Sequence, residues 1–194
     1  MMDDPEDPSQ PGTVRNLTLA SSNIYGKENV GGIAGHLRNG TISNCHVLPS
    51  VNIYTGSNNS QNHGGIVGHT YTTDANTTSA TIQNCTCGAS ITSGSYSGCS
   101  NYGGIIGYSN RSSSTITGCF YYGTSISANS NKGAIVGNCA STSGIGNCYY
   151  YYPSSINGIG YGGSVGSVKQ VYQLTLGTSD LTISSSPTYT FNDL

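Results

Sequence analysis

Charge is what this sequence has least of. Of 194 residues only 14 are Lys, Arg, Asp or Glu, or 7%, where a soluble domain usually carries about a quarter. Chemistry that needs several charged groups therefore has few to draw on. The net charge of -2 supplies no basic field for nucleic acid or for an anionic membrane surface. Tryptophan is absent, and Phe and Met occur twice each. No apolar run approaches the roughly 20 residues needed to cross a bilayer, and the N-terminus has neither the basic region nor the apolar core of a secretory leader. Proline occurs 6 times. Two of these prolines sit in the opening Met1-Met-Asp-Asp-Pro-Glu-Asp-Pro8, with half of all the acidic residues, and residues 1–12 read as a solvated tail or linker.

What is abundant is Gly (28), Tyr (15), Ser, Thr and Asn. That balance disfavours helix and favours strands and turns, so a helical bundle is excluded and an all-β chain is expected. A five-residue pattern recurs as Gly31-Gly-Ile-Ala-Gly35, Gly64-Gly-Ile-Val-Gly68, Gly103-Gly-Ile-Ile-Gly107, Gly133-Ala-Ile-Val-Gly137 and Gly162-Gly-Ser-Val-Gly166, at intervals of 33, 39, 30 and 29 residues. Between these copies fall Ile42-Ser-Asn44-Cys45, Ile82-Gln-Asn84-Cys85, Ile116-Thr-Gly118-Cys119 and Ile145-Gly-Asn147-Cys148, with a variant first copy at Val14-Arg-Asn16-Leu17. A weaker third pattern places Ile24, Ile53, Ile91, Ile126 and Ile156 about eight residues after the Cys position.

Segments this short bury nothing alone. They make sense if successive repeats stack so that equivalent strands pair in parallel around one core. The expected fold is a three-sided parallel β-solenoid, or β-helix, of about five turns over residues 13–166. Residues 167–194 would form a C-terminal β cap or junction, with strands in Val171-Tyr-Gln-Leu-Thr-Leu176 and Leu181-Thr-Ile183 and with Pro187 limiting further pairing. Ile33, Ile66, Ile105 and Ile135 are expected inside. Asn44, Asn84 and Asn147 are expected at bends, since Asn tolerates the left-handed region. Their amides could bond along the axis at about 4.8 Å, the spacing of paired strands, with Gly118 interrupting the ladder.

Seven cysteines is an odd number. Cys45, Cys85, Cys119 and Cys148 share one repeat position and read as core filling, because a free Cys behaves as a small hydrophobe. Cys87 and Cys99 bracket a Ser/Gly-rich excursion and could bridge, and Cys139 has no evident partner.

The copies ending in Gly35, Gly68, Gly107, Gly137 and Gly166, together with the Ile-x-Asn-Cys segment, resemble the Glug motif. This is a Gly-rich repeat of bacterial surface and secreted proteins, found in adhesin-like chains and in parts of IgA-specific metallopeptidases. The resemblance implies an exported, extracellular or cell-surface protein, often much longer; a glycan or a host protein is the partner expected of an exposed aromatic surface. It implies no catalytic residues and no cofactor. The peptidase activity does not carry over, because no His here is followed by Glu as in His-Glu-x-x-His.

Carbohydrate-active lyases and hydrolases also use β-helices, and they form the competing class. Within residues 13–166 the acidic residues are Glu28 and Asp74, where glycoside hydrolysis asks for a facing carboxyl pair. Arg15, Lys27, Arg38, Arg111 and Lys132 lack the carboxylate company that a lyase needs. His36 and His69 follow the last Gly of successive motifs, where Tyr108 and Asn138 stand later, and this reads as a tolerant outer position. His46 and His63 lie elsewhere. No metal site is expected. Phe120, Tyr121 and Tyr122 in one turn, and Tyr149, Tyr150, Tyr151 and Tyr152 in the next, follow the Cys position, so alternate members are expected to form an exposed aromatic strip. That strip is the first candidate for a ligand surface, although β-faces favour Tyr in any case. A last pattern, Thr41-Ile-Ser43, Thr81-Ile-Gln83 and Thr115-Ile-Thr117, resembles the Thr arrays of ice-binding solenoids, but Arg15, Gln83 and Gly146 interrupt it. The sequence reading is thus a non-catalytic spacer or adhesive module. A stacked sheet leaves open edges, and the Val14 turn is the expected contact between molecules.

Overall fold

The computed structural model describes residues 11–71, 79–110, 114–142, 144–151, 156–163 and 167–170, and beyond these the strands at 175–176, 181–183 and 189–191. The first coil consists of β1 (Gly12–Arg15), β2 (Thr18–Leu19), β3 (Asn23–Gly26), β4 (Glu28–Gly31) and β5 (Ala34–Leu37). The second repeats it as β6 (Gly40–Ser43), β7 (His46–Val47), β8 (Asn52–Thr55), β9 (Gln61–Gly64) and β10 (Val67–Thr70). The third has β11 (Ala80–Gln83), β12 (Thr86–Cys87), β13 (Ser90–Thr92), β14 (Ser100–Gly103) and β15 (Ile106–Ser109). The fourth has β16 (Thr115–Thr117), β17 (Phe120–Tyr121), β18 (Ile126–Ser127), β19 (Ser130–Gly133) and β20 (Val136–Cys139). A shortened fifth keeps β21 (Ile145–Gly146), β22 (Cys148–Tyr150) and β23 (Ile159–Tyr161).

Equivalent strands stack into five parallel sheets. The first sheet is β1-β6-β11-β16-β21, the second β2-β7-β12-β17-β22 extended by β24 (Val168–Gln170), and the third β3-β8-β13-β18. The fourth is β4-β9-β14-β19 and the fifth β5-β10-β15-β20-β23. The chain is a parallel β-solenoid. Each of the first four coils carries five strands rather than three, because the Gly motif and the Ile-x-Asn-Cys segment are each broken in the middle into two. The chain then forms a three-stranded antiparallel sheet from β25 (Thr175–Leu176), β26 (Leu181–Ile183) and β27 (Tyr189–Phe191). Its third strand was not anticipated. Pro187, Gly166 and residues 1–10 of the expected tail lie outside the described residues.

Register follows the repeat arithmetic despite its unequal intervals. Val14, Ile42, Ile82, Ile116 and Ile145 align in the first sheet, and Ile24, Ile53, Ile91 and Ile126 in the third. Ile42, Ile53, Ile66, Ile82, Ile91, Ile105, Ile116 and Ile135 are wholly buried in a single cluster. Each contributes roughly 1.5–3 kcal/mol by transfer out of water. In the fifth coil the structure corrects the repeat assignment. Ile159 pairs with Val136 and Tyr161 with Asn138, so Gly160, not Gly166, is the equivalent of Gly137. The coil reaches that register by omitting strands of the third and fourth sheets, which leaves Ile156 buried but outside the Ile24 row.

The two break points work differently. At the Ile-x-Asn-Cys corner, Asn16, Asn44, Asn84 and Asn147 take φ of 50 to 56° and Gly118 takes 62°, as expected for left-handed bends. The Asn44 amide donates to Asn16 Oδ1 at 3.4 Å. Immediately past each bend a thiol turns inward. Cys45, Cys85, Cys119 and Cys148 are fully buried, and each donates both to the carbonyl two residues back and to one in the preceding coil. Cys85 Sγ, for example, lies 3.2 Å from Gln83 O and 3.7 Å from Ile42 O. The column therefore combines core filling with a second donor to bend carbonyls that also accept from backbone amides, as Gln83 O does from Asn44 N at 3.1 Å. All seven cysteines are free and buried, so the bridge between Cys87 and Cys99 is not formed.

The motif's glycines serve close approach rather than turning. A Cβ on Gly107 would lie 2.5 Å from Asn62 C and 2.6 Å from both His63 N and Gly68 O, because the fifth-sheet backbone lies directly on the fourth-sheet backbone of the coil before. Replacement of Gly107 by Ala is therefore expected to destabilise the protein by about 3 kcal/mol or more through overpacking against backbone that cannot yield. At Gly94, which has a φ of +57° and nothing within 4 Å of a Cβ, replacement by Asn is expected to be nearly neutral. Urea denaturation of both variants checks the contrast, and equal midpoints would contradict it.

Candidate functional site

The aromatic strip is not the exposed surface that the sequence suggested. Phe120, Tyr121, Tyr122 and Tyr150 are buried, Tyr149 and Tyr151 are half-buried, and Tyr152 lies outside the described residues. The alternation itself is present. Tyr121 pairs with Cys87 and Tyr150, on a row that begins with Leu19 and Val47 and joins the core. Room for the Tyr121 ring comes from Gly104, where a Cβ would stand 2.4 Å from its Cγ. Its hydroxyl lies 3.2 Å from both Ala89 O and Ser125 O, so the phenol ties two loops together from within. The alternate row is covered as well: His46, Thr86 and Phe120 are all buried, His46 Nδ1 lies 2.9 Å from Thr86 Oγ1, and Phe120 stacks on Tyr122 at 5.7 Å.

The half-exposed aromatic row lies instead on the fifth sheet. Register places His36, His69, Tyr108, Asn138 and Tyr161 in one line. The sequence had grouped the first four as equivalent, and Tyr161 joins them through the corrected Gly160 register. His36 and His69 stack at 5.2 Å and 12°, and His69 and Tyr108 at 5.0 Å and 13°. Tyr71 leans across both imidazoles at 5.9 and 5.6 Å. Rings stacked at strand spacing occupy one another's faces, so the row presents ring edges, while Nε2 of both His36 and His69 is buried. Tyr108 Oη bonds Asn110 Oδ1 at 3.1 Å, and the Asn138 amide donates to Asn101 Oδ1 at 3.0 Å. Burial, reinforced by the neighbouring His36, pushes the His69 imidazole down to about 4. A shorter exposed pair, Tyr25 on Tyr54 at 5.0 Å, stands on the third sheet.

Beside this row runs a ladder that the sequence reading missed. Asn29, Asn62, Asn101 and Asn131 take φ of 52, 61, 62 and 51°. Asn62 donates to Asn29 at 2.8 Å, Asn101 to Asn62 at 2.9 Å, and Asn131 to Asn101 at 2.9 Å. The signal was available, since each Asn stands two residues before the first Gly of a motif. Next to it His63 is fully buried, stacked on Tyr102 at 4.5 Å with Nε2 donating to Gly26 O at 3.3 Å. Burial lowers its pKa against the opposing pull of the Gly26 and Gln61 carbonyls.

Reactive groups do not converge. Glu28 is the one carboxylate among the described residues, exposed and 4.0 Å from Lys27 Nζ; Asp74 and Arg111 lie outside them. Among the described residues no three His, Cys, Asp or Glu side chains come close enough to hold a metal. Within the thiol column, contact with neighbouring thiols and burial raise Cys45 and Cys119, while donation from neighbours lowers Cys85 and Cys148. Burial pushes Cys87 up to about 12. Thr13, Thr41, Thr81 and Thr115 form one outer row of the first sheet, and Arg15, Ser43, Gln83, Thr117 and Gly146 the next; the second row breaks the flat hydroxyl lattice an ice surface requires.

The histidines set an acid limit. His63 and His69 are held neutral in the fold, whereas unfolded imidazole titrates near 6.5. Below that pH the unfolded chain binds more protons, so stability present above pH 6.5 is lost as pH falls toward 4. The urea midpoint is expected to drop between pH 7 and 4.5. It should drop less in His69→Asn, a substitution the row already accommodates at Asn138. A flat wild-type profile would refute the assignment.

Comparison with family models, with curated proteins and with solved structures found no match to this chain.

Proposed function

We propose that the chain is a non-catalytic β-solenoid module of a bacterial cell-surface or secreted protein, acting as a spacer that carries an adhesive face on its fifth sheet. The observation that carries this reading is the use of polar side chains. Asn, Cys, Thr and His groups are engaged in ladders along the axis, and the coils present little free acid or base for a reaction. The resemblance of the Gly motifs to the Glug repeat supports the exported setting. The adhesive row, His36, His69, Tyr108 and Tyr161 with Tyr71 beside it, contains no Lys, Arg, Asp or Glu and offers ring edges. Those features suit hydroxyl-rich neutral glycans or the polar surface of a host protein better than charged polymers.

Immobilised neutral glycans are expected to retain the purified chain without releasing product. The double variant His69→Asn/Tyr108→Asn should weaken retention roughly tenfold, or about 1.4 kcal/mol, at an unchanged melting temperature. Release of shortened glycans would make the protein a carbohydrate-active enzyme instead, and retention unaffected by the double variant would move the adhesive face elsewhere.

A further inference from the structure

The two ends of the column are unlike. At the N-terminal end all five sheets finish on the same coil, with β1, β2, β3, β4 and β5 as their edge strands. At the other end the third and fourth sheets stop at β18 and β19, the first and fifth at β21 and β23, and the second at β24. The first end is flush and the second is stepped.

The flush end is also unfinished. Val14, Leu19, Ile24 and Ile33 are only partly buried, whereas their equivalents one coil on, Ile42, Val47, Ile53 and Ile66, are wholly buried. Two of the four large apolar side chains exposed among the described residues, Leu17 at 45% and Tyr25 at 69%, belong to this coil. The amide ladders point the same way. Asn44, Asn52 and Asn62 donate to the Oδ1 atoms of Asn16, Asn23 and Asn29. The Nδ2 groups of those three first-coil residues therefore have no acceptor among the described residues. Five open strand edges, a partly buried core end and three donors without a described acceptor make a template for strand addition, and among the described residues no strand or loop covers β1 to β5. The preceding segment, with four acids and two prolines in its first eight residues, has no apolar run to fill the opening.

We propose that this end is a dimer interface, taken by the same end of a second copy of this chain about a two-fold axis. A flush face is matched by another flush face. The stepped end of a second copy would leave edges of the third and fourth sheets unpaired. Back-to-back coils run antiparallel across the join, the partly buried Val14, Leu19, Ile24 and Ile33 of each copy close over one another, and facing backbone carbonyls accept from the Asn amides. The contact is isologous, so it closes at two copies. It does not depend on what the fifth sheet binds.

Sedimentation equilibrium on the 194-residue chain should give twice its 20.0 kDa mass. Leu17→Lys/Tyr25→Lys, at two exposed positions, should raise the dimer dissociation constant at least about tenfold while leaving the circular dichroism spectrum intact. Tyr161→Lys, at the stepped end, should not. Amide hydrogen exchange in residues 12–37 should slow with protein concentration. A monomer at all concentrations, open-ended oligomers, or dissociation caused by Tyr161→Lys would overturn the proposal.

Discussion

Every position in this molecule must tolerate its own equivalent about 4.8 Å away, in the coil above and in the coil below. In-register parallel stacking sets like beside like, and that constraint selects the composition. Isoleucine on isoleucine fills a core, and asparagine on asparagine satisfies donor with acceptor, as from Asn131 through Asn101 and Asn62 to Asn29. Imidazole on imidazole stacks face to face. Lysine on lysine, or glutamate on glutamate, would place like charges directly opposite one another and destabilise the pair. The 7% of charged residues is thus a consequence of the architecture. The described charges fit this account: Arg15, Lys27 and Glu28 stand on the first coil and Arg38 directly after it, Lys132 on the last strand of the fourth sheet, and Lys169 on the last strand of the second.

The same stacking fixes where glycine and asparagine go, and for separate reasons. Left-handed bends recur at the same place in each coil, and Asn supplies them because its amide can reach the next Asn while its backbone takes positive φ. At this corner the amide contact runs from Asn44 to Asn16, and where Gly118 replaces Asn the bend persists without an amide. Glycine in the five-residue motif has another task. Fourth- and fifth-sheet backbones lie in contact between consecutive coils, so atoms of Asn62, His63 and Gly68 occupy the space a Cβ on Gly107 would need. The hydrogen-bonded Asn ladder and the bare glycine backbone are two sides of one contact, which is why each motif glycine pair follows an Asn by two residues.

Much of this was legible in the sequence because the repeat supplies an internal comparison. Four Cys-bearing copies of the Ile-x-Asn-Cys segment, one of them with Gly118 for Asn, and the recurring Gly motif were enough to specify parallel pairing, the rows of Ile42 and Ile53, and the inward thiols. Three features were not legible. The number of strands per coil depends on where a segment breaks, and a break leaves no mark in hydrophobicity. The strip from Phe120 to Tyr122 was placed outside because alternation tells which residues share a face but not whether that face is covered, and here both rows are buried. The fifth Gly copy was misassigned because Gly162-Gly-Ser-Val-Gly166 matches the pattern better than Asn157-Gly-Ile-Gly160. Register is set by total coil length, and the fifth coil is shortened.

Constancy and variation among the coils also bear on where a partner can be held. Inward rows barely change along the axis: Val14, Ile42, Ile82, Ile116, Ile145. A row whose residue type changes from coil to coil is not held to like stacking on like. Two such rows are Thr18 to Tyr149 on the second sheet and His36 to Tyr161 on the fifth. The second-sheet row is buried at His46, Thr86 and Phe120, so its variety answers to local packing. The fifth-sheet row stays half-exposed at His36, His69, Tyr108 and Asn138 and is open at Tyr161. There the sequence is free of the stacking constraint on its outer side while the ladder beneath, through Asn101 to Asn138, holds the row rigid. The proposed adhesive face rests on this half-exposed row of mixed rings and amide, and the glycine-packed backbone lies behind it.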